Sequence, residues 1–388
     1  MLNLLTIDVE DYFQVHAFSR VIRYDDWPNY ECRIERNIDR VLEILDEAGQ
    51  NSKFKTQNSK LNHSMTHSLN TSGSNDSVLS PQHSPKGSFF VLGWIAERYP
   101  GLVRKIQQEG HEIACHGYAH RLIYTQSKEE FRRDIRRAKS ILEDVTGSEV
   151  IGYRAPSYSV TNKSNWAFEV LLEEGFRYDS SVFPIRHDFY GMPKAPRFPF
   201  LISLNGNSNV EFSMLNVELG TAEAQHRNTP ALNNSLTHSP NNSAIRPQSS
   251  VLSPSGIPEP QHRITSAPSW GFTPNSELRT QHCLVEFPLS TVKLFGANFP
   301  ISGGGYFRLL PYSLVSGALK GINEKENQPF IFYLHPWELD PEQPRIKGLS
   351  SRSKFRHYVN LGRTEIKFRK LLDDFEFSTI QWFLIQNS

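Results

Sequence analysis

Short apolar runs alternate with amphipathic stretches along most of this chain, and no other feature limits its fold so strongly. "LNLLTID" (2–8) suits a buried strand, and Ile34, Ile38, Val41, Leu42 and Leu45 then recur with a helical period. "SFFVL" (88–92) reads as the next strand, followed by a helix through "AERYPGLVRKIQQEG" that ends at Gly110. "EIACHG" is a third strand, and Phe131, Ile135, Ala138, Leu142 and Val145 mark one face of the helix after it. "EVIGYRAP" is a fourth strand, and "NWAFEVLLEEG" with "FRYDSS" adds a helix and a strand. "PFIFYLHPWE", "RTEIKFRKLLDDF" and "TIQWFLI" then read as strand, helix and strand. Repeated β–α units with apolar strands imply an α/β protein with a parallel sheet, closed or doubly wound. About seven strands favour a barrel.

Two stretches stand outside this rhythm. Residues 51–86 and 220–282 are rich in Ser, Asn, His and Pro and lack apolar periodicity, so burial cannot offset their ordering entropy. They share wording: "LNHSMTHSLN" from Leu61 returns as "LNNSLTHSPN" from Leu232, and "SVLSP" from Ser77 returns from Ser250. We read them as two disordered insertions of low complexity in a single domain spanning 1–388. The His63/His67 pair belongs to the first of them.

In a β/α barrel the reactive groups gather where strands end. Ionisable residues fall there repeatedly: Asp8, Glu10 and Asp11 after the first strand, His116 and His120 after the third, Arg154 after the fourth, Asp179 after the next, and His335 late in the chain. Taken singly, each has a structural explanation. A carboxylate can cap a turn, a histidine can be a hydrogen-bonded core residue, and an arginine can be half of an ion pair. Their shared position at consecutive strand ends is what points to chemistry. Two imidazoles and a carboxylate suit a catalytic site of the zinc type with open positions. Such a site lowers the pKa of water and polarises a carbonyl, which with a base and an acid hydrolyses an amide or ester.

Other classes are disfavoured. No G-x-S-x-G nucleophile turn is present, and "GGGYFR" (303–308) lacks the phosphate-loop pattern. A net charge of +1, from 42 basic and 41 acidic residues, gives no reason to expect nucleic acid as a partner. Cys32, Cys115 and Cys283 form no C-x-x-C pair, which suggests neither a disulfide framework nor a thiolate zinc site. The apolar run at the start stops at Asp8, short of the roughly 20 residues of a spanning helix, and no basic region precedes it. A soluble, cytoplasmic protein without a transmembrane segment is expected.

The ordered series "TIDVED", "FFVLGW", "HEIACHGYAH", "GYRAPSYS", "FRYDSS" and "FYLHPW" resembles the polysaccharide deacetylases, carbohydrate esterase family 4. The segments "LVEFPLSTVKLFG", "GGGYFRLLPY", "HPWELDPEQPRI" and "RFPF" resemble its subgroup associated with bacterial exopolysaccharide biosynthesis. The resemblance implies a distorted (β/α) barrel and a divalent metal, zinc by the donor set. The implied substrate is an N-acetylated polysaccharide or lipid-linked oligosaccharide; without an export signal it is expected to be met on the cytoplasmic side, at the inner face of the membrane. It makes Asp8 the general base, His116 and His120 metal ligands, Arg154 the group orienting Asp8, and His335 the acid that protonates the leaving amine. Ser157 N–H is the candidate oxyanion donor, with Tyr158 the near alternative, and Asp179 is expected to bond a catalytic polar group and tune its basicity.

This chain has Asp8-Val9-Glu10-Asp11 where many members have two adjacent aspartates. Alternate residues of a strand share a face, so Glu10 is the expected third ligand, with Asp11 replacing it if the chain has already turned. Trp94, Tyr158, Tyr306 and Trp337 are candidates for stacking on sugars. Metal-independent hydrolysis of small cyclic amides on the same fold, and glycan binding without catalysis, are the alternatives.

Overall fold

The computed structural model describes residues 1–66, 84–187, 190–204, 210–214 and 283–386. In chain order its elements are β1 (Leu2–Val9), α1 (Ile34–Thr66), β2 (Ser88–Val91), α2 (Gly93–Arg98), α3 (Pro100–Gln108), β3 (Glu112–Cys115), α4 (Lys128–Thr146) and β4 (Gly152–Tyr153). Next come α5 (Ala167–Glu173), β5 (Tyr178–Asp179), β6 (Phe200–Leu204), β7 (Val210–Met214), β8 (Cys283–Glu286), β9 (Thr291–Leu294), β10 (Ala297–Pro300) and α6 (Gly304–Leu309). The last are α7 (Tyr312–Lys325), β11 (Ile331–Leu334), α8 (Ser351–Tyr358), α9 (Leu361–Asp374), β12 (Glu376–Ser378) and α10 (Ile380–Gln386).

Seven strands pair side by side in the order β11, β1, β2, β3, β4, β5, β8, every neighbour parallel. This is the parallel α/β architecture read from the alternation. Antiparallel β6 and β7 extend the sheet beyond β8, and β12 lies parallel to Leu2–Leu4 of β1. The circuit from β8 back to β11 is completed by a seam of single bonds. Gly303 bridges Tyr333 in parallel, Tyr333 N–H donates to Ser302 O (2.9 Å), Ser302 Oγ donates to Ser290 O (2.9 Å), and Ile331 N–H donates to Ser290 Oγ (2.8 Å). The result is a distorted barrel. Gly303 is required at this seam: its φ is +145°, and a Cβ there would stand 2.1 Å from the Tyr333 carbonyl oxygen.

The helices wrap the sheet for reasons visible in their patterns. α4 buries Phe131, Ile135, Ala138 and Leu142, starts in a Ser127/Glu130 capping box and stops at Gly147 in the left-handed conformation. A cap of this kind is worth about 1 kcal/mol. The long helix expected at 96–110 is divided into α2 and α3, because Pro100 cannot continue a helix and instead begins one.

Two expectations are corrected. "TIQWFLI" is α10, a helix, and the strand lies just before it. Ile380 and Phe383 are buried three residues apart while Trp382 and Ile385 are exposed, which is helical spacing. Those two residues share a cluster with Leu4, Phe90, Ala114, Tyr178 and Ile331, plugging the end of the barrel where the strands begin. Buried Glu112 accepts from Gln381 N–H (3.0 Å), Ser88 Oγ (2.5 Å) and Tyr178 OH (2.6 Å), so it anchors the start of α10. The second correction concerns residues 51–66, assigned above to a disordered insertion. They continue α1 to Thr66, through Lys-, Gln- and Leu-containing sequence with no Gly or Pro to stop it. The rest of that insertion to residue 83 and all of 220–282 lie outside the described residues, as do the side chains of the His63/His67 pair.

Candidate metal centre and active site

β1 carries the first functional group to the barrel mouth. Its residues from Asn3 to Val9 are buried, and at its end Glu10 N–H bonds back to Asp8 O (3.0 Å) in a tight turn. The turn leaves Asp8 and Glu10 both at the site and sends Asp11 away from it. Asp11 accepts from Tyr12 N–H (2.8 Å) and Arg33 N–H (2.5 Å), holding the loop before α1, while burial pushes its carboxyl up to about 6. The choice of Glu10 over Asp11 therefore agrees with the geometry.

"HGYAH" leaves the end of β3 as a tight loop. Gly117 (φ +73°) and His120 (φ +51°) adopt left-handed conformations, and Asp134 accepts from Tyr118 N–H (2.8 Å) to hold the turn. The two imidazoles lie with ring centres 5.5 Å apart. His116 Nδ1 lies 2.8 Å from Arg154 O; since a carbonyl only accepts, Nδ1 carries the proton and Nε2 presents its lone pair. One ligand atom from each of Glu10, His116 and His120 falls within 4.8 Å of the other two, and all three residues are buried.

This set fits a divalent ion. Glu10 Oε2 is buried and has no hydrogen-bond partner, although His120 Nε2 lies 2.8 Å away, so the two are close without being aligned to bond each other. Burial opposes charge on Glu10, but His120, His335 and His116 outweigh it and hold the carboxyl down to about 2. Burial, with His120, holds His116 down to about 4 against the attraction of Asp8 and Glu10. A charged Glu10 carboxylate and a neutral His116 imidazole are the protonation states a metal requires of them.

Arg154 is fully buried and makes four hydrogen bonds. Its Nη1 donates to Asp8 Oδ1 (2.7 Å) and Thr6 Oγ1 (2.9 Å), Nε to Ser180 O (3.0 Å), and Nη2 to Ser180 Oγ (2.7 Å). Its guanidinium lies 4.1 Å from the Phe90 ring centre. Burial would raise the Asp8 pKa, but Arg154, His116 and His335 outweigh it and keep the carboxyl below the usual range. With Oδ1 engaged, Oδ2 remains, 3.4 Å from Tyr158 OH and 3.8 Å from His335 Nε2.

His335 follows β11. Nε2 also lies 3.4 Å from Glu10 Oε1, and Nδ1 meets Glu338 Oε1 at 2.5 Å. Glu338 Oε2 accepts from Arg308 Nε (2.9 Å), and Arg308 in turn donates to the carbonyls of Arg356, His357 and Val359. Burial disfavours the imidazolium, yet Glu338, Glu10 and Asp8 raise His335 to about 9. Trp337 packs against His335 with ring centres 5.2 Å apart and against His357 at 4.1 Å, and its Nε1 lies 3.4 Å from Glu10 Oε1. Glu338, Arg308 and His357 were not anticipated. The spacing His335-x-x-Glu338, a histidine at an N-cap and an acid three residues on, was the available signal.

The structure gathers Asp8, Glu10, His116, His120, Arg154 and His335. Ser157 (φ +53°) and Tyr158 (φ +52°) form a strained turn directly after Arg154-Ala155-Pro156. Tyr158 N–H is occupied by Ala155 O (3.0 Å), whereas no backbone carbonyl among the described residues accepts from Ser157 N–H, which favours Ser157 as donor. Asp179 requires correction. Among the described residues its carboxylate bonds no catalytic side chain; it accepts from Ser181 Oγ (2.5 Å), which accepts from Ala155 N–H (2.7 Å). Its contribution is to hold the turn that carries Ser157. Trp94 is likewise buried, edge-on to Phe13 and Trp27. Trp337 is sandwiched between two imidazoles. Of the four aromatic residues considered for sugar stacking, only Tyr306 is half-exposed.

Residues 77–171, which include His116, His120, Arg154 and Ser157, match the polysaccharide deacetylase family model. Residues 253–384, which include His335, Glu338 and Arg308, match a domain of unknown function, DUF3473. A peptidoglycan-N-acetylglucosamine deacetylase of Bacillus cereus is 35% identical over 89 residues, 23% of this chain and 32% of that protein. A peptidoglycan deacetylase of Helicobacter pylori is 30% identical over 107 residues, 28% of this chain and 34% of that protein. The chain thus spans about one third of the length of these curated relatives. A solved Mycobacterium smegmatis structure described as a candidate polysaccharide deacetylase aligns over 99% of this chain and 88% of that one, with 14% identity and a TM-score of 0.47. The stretch that carries both loop histidines and the buried arginine is thus similar to the polysaccharide deacetylase family.

Proposed function

We propose that this protein is a metal-dependent hydrolase that removes N-acetyl groups from hexosamine units of a bacterial polysaccharide or its lipid-linked precursor. One observation carries the reading: the buried Glu10/His116/His120 cluster stands together with Asp8 and His335 at the mouth of the barrel. The donor set of two imidazoles and one carboxylate suits zinc. A divalent ion held there supplies a Lewis acid for the amide carbonyl and makes water more acidic.

The chain's own residues do the rest. Asp8, held ionised by Arg154, takes the proton of the attacking water through Oδ2. Ser157 N–H donates to the oxygen on which negative charge develops. His335, held protonated by Glu338, gives its proton to the departing amine as the carbon–nitrogen bond breaks. Acetate and a free amine result. The polysaccharide class follows from relatives named as acting on N-acetylglucosamine polymers and, in Azorhizobium caulinodans, as a chitooligosaccharide deacetylase. An exopolysaccharide substrate rests on the motif series alone.

The test is metal content and acetate release from N-acetylated oligosaccharides, for the parent chain, His116→Ala and His335→Ala. We expect about one bound divalent ion per chain. His116→Ala loses both ion and activity, while His335→Ala keeps the ion and loses activity. Full activity in chelator, or in either variant, refutes the assignment.

A further inference from the structure

Beside the barrel mouth runs a basic segment that has no part in this chemistry. From residue 345 to 356 the chain reads "RIKGLSSRSKFR", placing Arg345, Lys347, Arg352, Lys354 and Arg356 within twelve residues that contain no acid, in a protein of net charge +1. All five cations are exposed, and none makes an ion pair with a described residue. Elsewhere surface cations are often matched, as in Arg40–Glu365, Lys105–Asp39, Arg132–Glu173 and Arg177–Glu149. Of the acids just upstream, Asp340 is already engaged by Arg33 and Arg36, and Glu342 makes no ion pair with a described residue.

The segment has an apolar component. Arg345, Lys347 and Lys354 join Ile346, Phe355 and Tyr358 around an open groove of about 600 Å³. Phe355 itself is 58% exposed. A second apolar projection rises close by. The β9–β10 hairpin leaves the end of β8 with Phe295 at its tip, 99% exposed, next to Leu294 at 49%. Phe299 of this hairpin lies 6.3 Å from the Tyr306 ring, and Tyr306 feels the charge of Arg356. The hairpin follows the C-terminal end of β8 and the basic segment that of β11, and both strands belong to the parallel run, so the two projections share the mouth side of the barrel.

We propose that this rim docks on an anionic phospholipid bilayer, its cations meeting lipid phosphates and Phe295, Leu294 and Phe355 entering the interfacial layer. Charge complementarity selects an anionic partner, and the exposed apolar tips select a bilayer over a soluble polyanion, which would leave them in water. Docking in this way turns the mouth toward the membrane surface. It does not depend on the hydrolytic chemistry, and its failure would leave that chemistry untouched.

The test is co-sedimentation of the full chain with vesicles of phosphatidylcholine alone or with about 30% phosphatidylglycerol, in about 0.1 M salt. We expect binding to the anionic vesicles, weakening as salt rises. Lys347→Gln, Arg352→Gln and Lys354→Gln combined should weaken it about a hundredfold, at roughly fivefold per cation. Phe295→Ser with Phe355→Ser should weaken it several-fold. Unchanged acetate release from a soluble oligosaccharide, and an unchanged circular dichroism spectrum, would show that these variants remain folded. Failure of the folded parent chain to bind, equal binding to neutral vesicles, or indifference to the three cations overturns the proposal. So does equally tight binding of soluble hyaluronan that needs the cations but neither phenylalanine.

Discussion

Replacing Glu286 with glutamine should make the protein more stable at alkaline pH and leave it unchanged at acid pH. Asp179 and Glu286 face each other across the β5–β8 ladder, both fully buried. Asp179 Oδ2 and Glu286 Oε2 each lack any other partner, so they can bond only by sharing a proton. Burial, and then the charge of Asp179, raises Glu286 well above the ordinary carboxyl range; burial raises Asp179 from 3.8 to about 6. Both groups are thus more basic in the fold than in the unfolded chain. Their stabilising contribution is complete below about pH 4 and is lost as pH climbs through the folded values. For Asp179 a displacement of about two units corresponds to about 3 kcal/mol, and Glu286 adds to the loss at higher pH. In Glu286→Gln the amide donates to Asp179 without titrating, and its oxygen can still accept from Val182 N–H, as Glu286 Oε1 does at 2.9 Å. Urea unfolding at a series of pH values reads the difference. We expect the variant to exceed the parent by about 1–3 kcal/mol at pH 8 and to match it near pH 5. Parallel stability curves, or a variant weaker at every pH, would refute a shared proton.

Two further outcomes follow from the site. Arg154→Met strands Asp8 as a buried, unpaired carboxylate and should cost about 3–5 kcal/mol in urea unfolding, part of which Asp8→Asn in the same chain should restore. Glu338→Gln keeps an acceptor for His335 but removes the charge; acetate turnover should fall about tenfold, short of the roughly 10²–10⁴ that loss of a general acid costs, with bound metal unchanged.

The sequence was most readable where an apolar strand ends in an ionisable residue. Asp8, His116, Arg154 and His335 could be placed because each directly follows or closes a short buried run, and parallel strands deliver their ends to one face. Glu10 was chosen by strand alternation, yet it reaches the cluster with His116 and His120 through a tight turn, a geometry that alternation alone does not describe. Glu338 and Arg308 were hidden because their pairing joins residues 30 positions apart. Asp179 looked catalytic from its strand-end position, and only the structure shows it reaching the site through Ser181. α10 was misread because a seven-residue apolar run fits strand and helix alike until neighbours decide which face is buried. The serine seam at Ser290 and Ser302 carries no pattern a periodicity argument can detect.

The position of β1 has a consequence for how the chain folds. Its ladders run to β2, β11 and β12, so Leu4 and Ile7 lie against Ile331 and Leu334, and Leu2 against Glu376. During synthesis these partners are made more than 300 residues after β1 itself. Until then an apolar strand destined for the middle of the sheet stands with one edge open, the condition under which nascent chains stick to one another. Closure of contacts this distant in sequence also makes for slow folding. A cell producing this protein should therefore depend on holding "LNLLTIDV" out of the way during translation, and chaperone depletion should lower its soluble yield before it lowers the activity of molecules already folded.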